Sequence, residues 1–314
     1  MPGADLHFSL WGALLIGLVV GYLGGMLGVG GGFIANPLLN GVLGIPMPVV
    51  SGTSLCQISG ASLSGLLRHR RHGQFDLRIA VMISGGVFCG EEAGVAVVEW
   101  LKTLGAVRLA GGSYPLSELV LRLAFLAMLV IIGGFVLAES RRSALAPRAP
   151  GAARRGWLSR LRLPPHVTPA GGSPVSAPLV ALTGVPIGLA QGLLGIGGGV
   201  LMLPVLIYLI GISTHAAIGT SLMIVLAGSL WGTFRHALNG NVSLELAAAL
   251  LAASTFGSQL GALTSTRLKA HHLRQYFALV VAAAAVILAW KLLEMLGVQI
   301  TWADIARNLT ERYQ

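Results

Sequence analysis

The sequence predicts an all-α membrane protein built from two inverted repeats of about five transmembrane helices each, with glycine-rich broken helices. Three observations carry this. The 314-residue chain is 54% hydrophobic and only 10% charged, against about 25% charged in an average soluble domain. Long apolar windows recur along it, and its two halves are copies of one another. A soluble protein of this size cannot keep its surface wet with so few charges, which argues against a cytosolic enzyme, a disordered tail or a nucleic-acid binder. Glycine supplies 44 residues, well above the roughly 7% average. In a membrane, glycine permits close helix packing and irregular backbone.

The apolar windows run over about 8–29, 33–49, 50–67, 77–101, 118–139, 177–196, 200–212, 213–234, 244–266 and 273–296. Most reach the roughly 17–25 residues that a spanning helix needs. Those starting at Phe33 and Val200 are shorter and are interrupted by Pro37 and Pro204. They read as half-helices or re-entrant segments. If they are re-entrant, the alternative is about eight spans in parallel repeats with both termini inside. Residues Met1–Ser9 carry Asp5 and no Lys or Arg, so they lack the basic start of a signal peptide. The tail from Ile300 to Tyr313 brings Trp302, Ile305 and Leu309 near one face and reads as an interfacial helix.

Residues 1–139 form the first membrane repeat, 140–175 a linker and 176–314 the second repeat with its tail. The linker holds Arg141, Arg142, Arg148, Arg154, Arg155, Arg160 and Arg162 without an acid, and six prolines interrupt it. It reads as a mobile cytoplasmic segment, with Trp157, Leu158, Leu161 and Leu163 placed to rest on anionic lipid. Basic residues mark cytoplasmic loops. Arg68, Arg70, Arg71 and Arg78 therefore put the first loop inside, and Arg267, Lys269 and Arg274 mark a third. The loop 235–243 has only Arg235 and falls outside. Equivalent loops then face opposite sides, which makes the repeats inverted and places both termini outside. The linker and the first loop together account for the whole net charge of +10.

The halves align without a gap at an offset of 167. Residues 21–32, GYLGGMLGVGGG, lie over residues 188–199, GLAQGLLGIGGG. Pro37 lies over Pro204, Gly52-Thr53-Ser54-Leu55 over Gly219-Thr220-Ser221-Leu222, and Arg68-His69 over Arg235-His236. More than a third of the positions from 21 to 77 are identical at this offset, too many for shared apolar composition alone.

A glycine-rich Gly-x-x-Gly-(Val/Ile)-Gly-Gly-Gly, then a proline, then Gly-Thr-Ser, once in each half, resembles the TauE/SafE sulfite exporter family, also called the TSUP permeases. The resemblance covers most of both halves but not the linker. It implies a multi-pass transporter of the bacterial cytoplasmic membrane for small sulfur-containing anions such as sulfite, sulfoacetate or related sulfonates.

Gly28, Gly30, Gly31 and Gly32, with Gly195, Gly197, Gly198 and Gly199, end one helix and start another. Such a break at membrane depth can point a half-helix N-terminus at an anion. The plainer reading is close packing, as in Gly17/Gly21 and Gly21/Gly25. Thr53, Ser54, Thr220 and Ser221 offer hydroxyls either to a substrate or to local backbone. Asn36, Gln57 and Gln191 lie opposite Leu203, Ile224 and Gly24 in the other half. At these departures from symmetry, one asymmetric ligand can be read. Glu91 and Glu92 fall mid-window, opposite Ser258 and Gln259. A carboxylate at membrane depth costs several kcal/mol unless it is protonated or paired. One of them is thus a candidate for proton coupling, or both are structural partners of Arg122. Arg235 is a candidate anion-attracting or gate residue, because the fork of Arg bonds two oxygens. A snorkelling anchor is the alternative for both Arg-His pairs.

Cys56 and Cys89 sit in apolar stretches and read as small buried hydrophobes. Neither they nor His7, His166, His215, His271 and His272 show metal-ligand spacing, so no cofactor or metal is expected. No catalytic motif or Walker A sequence points to an enzyme or an ATP-driven pump. The leading reading is a secondary transporter, an exporter of small sulfur-containing anions working by alternating access and coupled to protons. The alternative is a channel or a structural membrane protein. The lipid bilayer, the anion and protons are its expected partners, and no nucleic acid is.

Overall fold

The computed structural model describes residues 9–27, 31–70, 75–109, 112–145, 157–160, 163–169, 173–212, 214–265 and 270–296. The expected interfacial tail 300–313 lies outside these. Ten α-helices are formed among the described residues: α1 (Leu10–Leu27), α2 (Gly32–Gly41), α3 (Met47–Arg70), α4 (Leu77–Thr103), α5 (Leu116–Leu145), α6 (Ala177–Leu194), α7 (Gly199–Pro204), α8 (Thr214–Leu238), α9 (Leu244–Ser265) and α10 (Ala270–Met295). They match the ten apolar windows one for one. Four stretches are long and apolar enough to cross a membrane by length and composition: Leu77–Thr103, Leu116–Gly134, Ala177–Leu194 and Ala216–Leu238.

The two Pro-interrupted windows are the short helices. α2 has 10 residues, about 15 Å at 1.5 Å per residue, or half the roughly 30 Å hydrocarbon core. α7 has six residues and continues from Pro204 as a π-helical turn, Val205–Ile210. Proline lacks the N–H that an α-helical ladder needs and crowds the preceding turn. Each half-helix lies in its own apolar core. Phe33, Ile34, Ala35 and Leu39 pack among α1, α3, α5, α9 and α10. Met202, Leu206 and Ile210 pack among α4, α6 and α8.

Two glycine seams join the halves, and they are repeat-related. A Cβ on Gly21 or Gly25 of α1 would overlap the backbone of Ser254 or Ser258 in α9, and one on Gly257 or Gly261 would overlap Leu18 or Tyr22. The other seam sets Gly86, Gly90 and Gly94 of α4 against Ala181, Val185 and Leu189 of α6. It returns the contact through Gly184, Gly188 and Gly192. Four-residue spacing keeps these glycines on one face, so the backbones meet directly. Contacts rise together along both helices, so α1 runs parallel to α9 and α4 to α6. The repeat-related helices α3 and α8 run antiparallel, with Gly52 near His236 and Gly65 near Leu222.

Two features depart from the all-helical expectation. Ala106–Leu109 and Gly112–Pro115 form an antiparallel hairpin, β1–β2, between α4 and α5. Within the predicted linker, α5 continues to Leu145, and β3 (His166–Val167) pairs with β4 (Val175–Ser176). Leu158 is buried against Val175, Leu206 and Ile210, so it packs on protein and is not free for lipid. Trp157 beside it is exposed. The two free cysteines differ from expectation in their burial: Cys56 is half-buried and Cys89 exposed.

Candidate functional site

The two glycine-rich breaks meet in the middle of the molecule. Gly28 and Gly30 lie outside the described residues. Gly31 has φ +79°, and Gly195, Gly197 and Gly198 have φ +67°, +71° and +63°. This left-handed region is open to glycine and strained for other residues. Gly32 and Gly199 are the first residues of α2 and α7. A Cβ on Gly32 would come 3.0 Å from the carbonyl oxygen of Ile196, and one on Gly197 2.6 Å from Cγ2 of Ile58. Ile58 of α3 therefore wedges between two turns that touch each other.

Around this junction, buried polar atoms are left without hydrogen-bond partners. They are Asn36 Oδ1, Ser54 Oγ, Gln57 Oε1, both oxygens of Glu91 and Gln191 Nε2. Most buried polar atoms in proteins are paired, so this group asks for a reason. Ser54 and Gln57 share a face of α3 with Ile58 through three- and four-residue spacing. Asn36 donates its Nδ2 to the carbonyl of Leu194. The Gln191 amide lies against Gly228 of α8 and Gly198 before α7. The Glu91 carboxyl lies against Gly232, one turn further along α8. Side chains on α8 at either glycine would fill the space that these two groups occupy.

The two neighbouring glutamates have different surroundings. Glu91 is fully buried. Glu92 points to the other side, forms an ion pair with Arg235 Nε at 2.5 Å and accepts from Trp231 Nε1 at 3.1 Å. Adjacent helical residues diverge by about 100°, and the structure uses this to separate a lone acid from a paired one. Arg122 is a partner of neither. It pairs with Glu118, one turn earlier in α5, at 2.8 Å, because i,i+4 spacing puts both on one face. Arg235 is likewise engaged by Glu92. The side chains of Arg68 and His69 lie outside the described residues.

His236 is a buried network residue and no snorkelling anchor. Its Nε2 lies 2.9 Å from the carbonyl oxygen of Gly192, and its Nδ1 lies 3.3 Å from Asn241 Nδ2. Asn241 donates to Glu99 at 2.7 Å and accepts from Lys102 at 2.5 Å. Nothing in the residue pattern around His236 distinguished it from an interfacial histidine.

The Gly-Thr-Ser motifs divide their work. Thr220 Oγ1 accepts from the backbone N–H of Asp76 at 2.9 Å, and Thr53 Oγ1 accepts from Ser243 N–H at 3.2 Å. Asp76 and Ser243 are repeat-related and precede α4 and α9, so each half's threonine ties down the start of a helix in the other pairing. Asp76 also caps α4 through Arg78 and Ile79 N–H, both at 3.1 Å. These hydroxyls thus serve backbone. Ser54 keeps a buried hydroxyl without a partner, and Ser221 is buried. Thr53→Val and Thr220→Val are each expected to lower stability by about 1 kcal/mol, and together by about the sum, because they act at separate sites. Thermal unfolding of the single and double variants in detergent measures this. Strong non-additivity would show that the two ties are coupled.

Residues 13–288 match the family described as Sulfite exporter TauE/SafE. The chain belongs to the TauE/SafE family. A probable membrane transporter protein of Xylella fastidiosa (strain Temecula1) is 30% identical over 278 residues, covering 88% of this chain and 93% of the relative. The probable membrane transporter protein YunE of Bacillus subtilis is 24% identical, covering 82% and 88%. A probable membrane transporter protein of Methanocaldococcus jannaschii, MJ0441, is 24% identical, covering 83% and 88%. No solved structure matches. The family and these relatives make the protein a multi-pass membrane transporter, which puts it in a lipid bilayer with a small-molecule substrate.

Proposed function

We propose that this transporter exports a small sulfur-containing anion, such as sulfite or an organosulfonate, by alternating access between two inverted halves, with Glu91 carrying a coupled proton. The observation that carries the proposal is Glu91 itself. It is a fully buried carboxyl without a partner, one turn of α8 from the unpaired Gln191 amide, where the two broken helices meet. Neutral donors and a protonated carboxyl suit the oxygens of a sulfur oxyanion. The Ser54 hydroxyl and Gln191 Nε2 are the donors of this surface, Asn36 Oδ1 and Gln57 Oε1 add acceptors to it, and the Gly31/Gly32 and Gly195–Gly199 breaks let backbone approach it.

The antiparallel course of α3 and α8, and the parallel course of α1 with α9 and α4 with α6, support halves of opposite orientation, 1–139 and 176–314. In this reading α2 and α7 with its π turn carry the chain back between parallel neighbours, and the structure is of the five-plus-five kind. The basic residues of the loop 68–78 and of the segment 140–175, read from the sequence, support placing that segment in the cytoplasm of a bacterial cell. The two seams then act as fixed contacts, and the junction of the breaks is the element that opens to alternate sides.

The test is flux of sulfite, sulfoacetate, taurine, thiosulfate and sulfate in proteoliposomes with and without a pH gradient. Wild-type protein is expected to accumulate at least one of them against its gradient when a pH gradient is imposed. Glu91→Gln is expected to lose at least about tenfold of that accumulation while still exchanging substrate across equilibrated vesicles. Glu92→Gln should keep its pH dependence. An unchanged pH profile in Glu91→Gln would remove the coupling role. No movement of any sulfur compound would overturn the substrate class, and non-saturable flux without coupling would point to a channel.

A further inference from the structure

We infer that the buried oxygens of Asn36, Ser54 and Gln57, beside the carboxyl end of α6, form a binding site for an alkali-metal cation. The site depends neither on the identity of the cargo nor on a proton at Glu91.

Donors at this place are already spent, and acceptors are left over. Asn36 gives its Nδ2 to the carbonyl of Leu194, which fixes Oδ1 as the end without a partner. Ser51, one turn before Ser54, donates its hydroxyl to the carbonyl of Leu193 at 3.3 Å. What remains is Asn36 Oδ1, Ser54 Oγ and Gln57 Oε1, each on a residue no more than 1% exposed. A buried acceptor without a partner is costly. An anion's oxygens are acceptors too, so they cannot satisfy the two amide oxygens, whereas a cation can.

The backbone brings the three residues to one stretch, 194–197. Asn36 reaches Leu194 through its hydrogen bond. It lies one turn after Gly32, where a Cβ would come 3.0 Å from the carbonyl oxygen of Ile196. Ser54 lies between Ser51, whose backbone abuts Gly195, and Ile58, whose Cγ2 would be 2.6 Å from a Cβ at Gly197. Gln57 follows Ser54 by one helical turn.

The electrostatics of this stretch favour positive charge. α6 ends at Leu194 with no basic residue in its last turn. The carboxyl end of a helix carries roughly half a negative charge. In broken helices at membrane depth, such ends and unwound carbonyls hold monovalent cations. The three side chains are neutral, which suits a single charge; calcium and magnesium draw on carboxylates. Among the described residues no three His, Cys, Asp or Glu cluster as a metal site would require. The Glu91 carboxyl lies against Gly232 of α8 and is not one of the proposed ligands. The amino end of α2, one turn before Asn36, is the end that favours an anion, so the cation would stand next to an anion held there.

The repeat supplies the test variants. The counterpart of Gln57 is Ile224 and that of Ser54 is Ser221. The full chain in detergent is melted in NaCl, KCl and choline chloride at equal ionic strength, and binding of radiolabelled Na+ is measured directly. NaCl or KCl is expected to raise the melting temperature saturably over choline chloride, and the two salts show which ion the site prefers. Ser54→Ala and Gln57→Ile are each expected to weaken that ion's binding at least about tenfold. Both should melt in choline chloride no lower than wild type, because each removes a buried polar atom without a partner. Ser221→Ala should keep wild-type binding. Equal melting in all three salts without Na+ binding would overturn the inference, leaving those oxygens to water. So would cation binding that survives unchanged in both variants, or stabilisation by CaCl2 alone. None of these measurements needs a sulfur anion, so failure of the transport reading and failure of this inference are separate results.

Discussion

Gly86→Ala is expected to destabilise the folded transporter by about 3 kcal/mol or more, the upper range for forcing atoms into a packed interior. Gly85→Ala, one residue away, should be silent or slightly stabilising. The Cβ of an alanine at 86 would overlap the carbonyl oxygen of Ala181 and lie 3.2 Å from the Cα of Gly184. Both neighbours are backbone, so neither can yield by a rotamer change, and α4 and α6 must move apart along their seam. At Gly85 nothing lies within 4 Å of the added atom, and alanine favours helix over glycine by up to about 1 kcal/mol. Thermal unfolding in detergent and the yield of monodisperse protein measure both. Gly90→Ala in this seam and Gly257→Ala in the repeat-related seam should behave like Gly86→Ala. Equal melting temperatures for the variants at 85 and 86 would refute the picture of a backbone-to-backbone seam.

Glu118→Ala is expected to lose about 3–5 kcal/mol, the usual loss when one member of a buried ion pair is removed. Glu118 Oε1 accepts from Asn40 Nδ2 at 2.6 Å and from Arg122 Nε at 2.9 Å. Its Oε2 accepts from the Met47 N–H at 2.7 Å. This one carboxylate therefore satisfies the end of α2, the start of α3 and a half-buried guanidinium in α5. Truncation leaves the Met47 N–H without this partner and the Arg122 charge without its acid, while Asn40 keeps its bond to the Ile45 carbonyl. Replacing the pair together, as Glu118→Met with Arg122→Met, should recover part of the loss, because the stranded charge is gone. Melting temperatures of the two single variants and the double variant, read as a cycle, test this. A double variant no better than Glu118→Ala would show that the Met47 and Asn40 contacts outweigh the ion pair.

The positions of the helices were legible because a membrane span announces itself by length and hydropathy alone, and ten windows became ten helices. The short windows at Phe33 and Val200 were legible as special for the same reason, with Pro37 and Pro204 in view. The offset of 167 also carried into three dimensions. It relates the α1–α9 seam to the α4–α6 seam, and the Thr53–Ser243 tie to the Thr220–Asp76 tie. Asn36, Gln57, Gln191 and Glu91 stood out in the sequence as polar residues whose repeat partners are apolar or small. Each of them has a buried polar atom without a hydrogen-bond partner, as do Asn40, Ser54, Ser62 and Ser176 among the described residues.

Other assignments needed the fold. Glu91 and Glu92 are indistinguishable as a dipeptide; which is alone depends on Gly232 and Arg235 standing beside them on a helix 140 residues away. Arg122 found Glu118 on its own helix, and Arg235 found Glu92. The hydroxyls of Thr53 and Thr220 went to backbone, and Leu158 went to a protein core although its segment reads as a solvated linker. Asn40, Glu118, Asn241 and His236 gave little signal, because single polar residues near the ends of apolar windows are common.

By itself the sequence determined a membrane chain of two related halves, each with a glycine-rich break, and the family to which it belongs. Composition and period are properties of a segment and survive without knowledge of its neighbours. The tertiary structure decided which polar groups are spent on one another and which are left over. Pairing is a property of distance across helices, and a buried group's chemistry follows from what stands within about 3 Å of it. Among the described residues that distinction leaves Glu91 as a buried acid without a partner and Glu92, Glu99, Glu118 and Glu294 as acids whose charge is already answered.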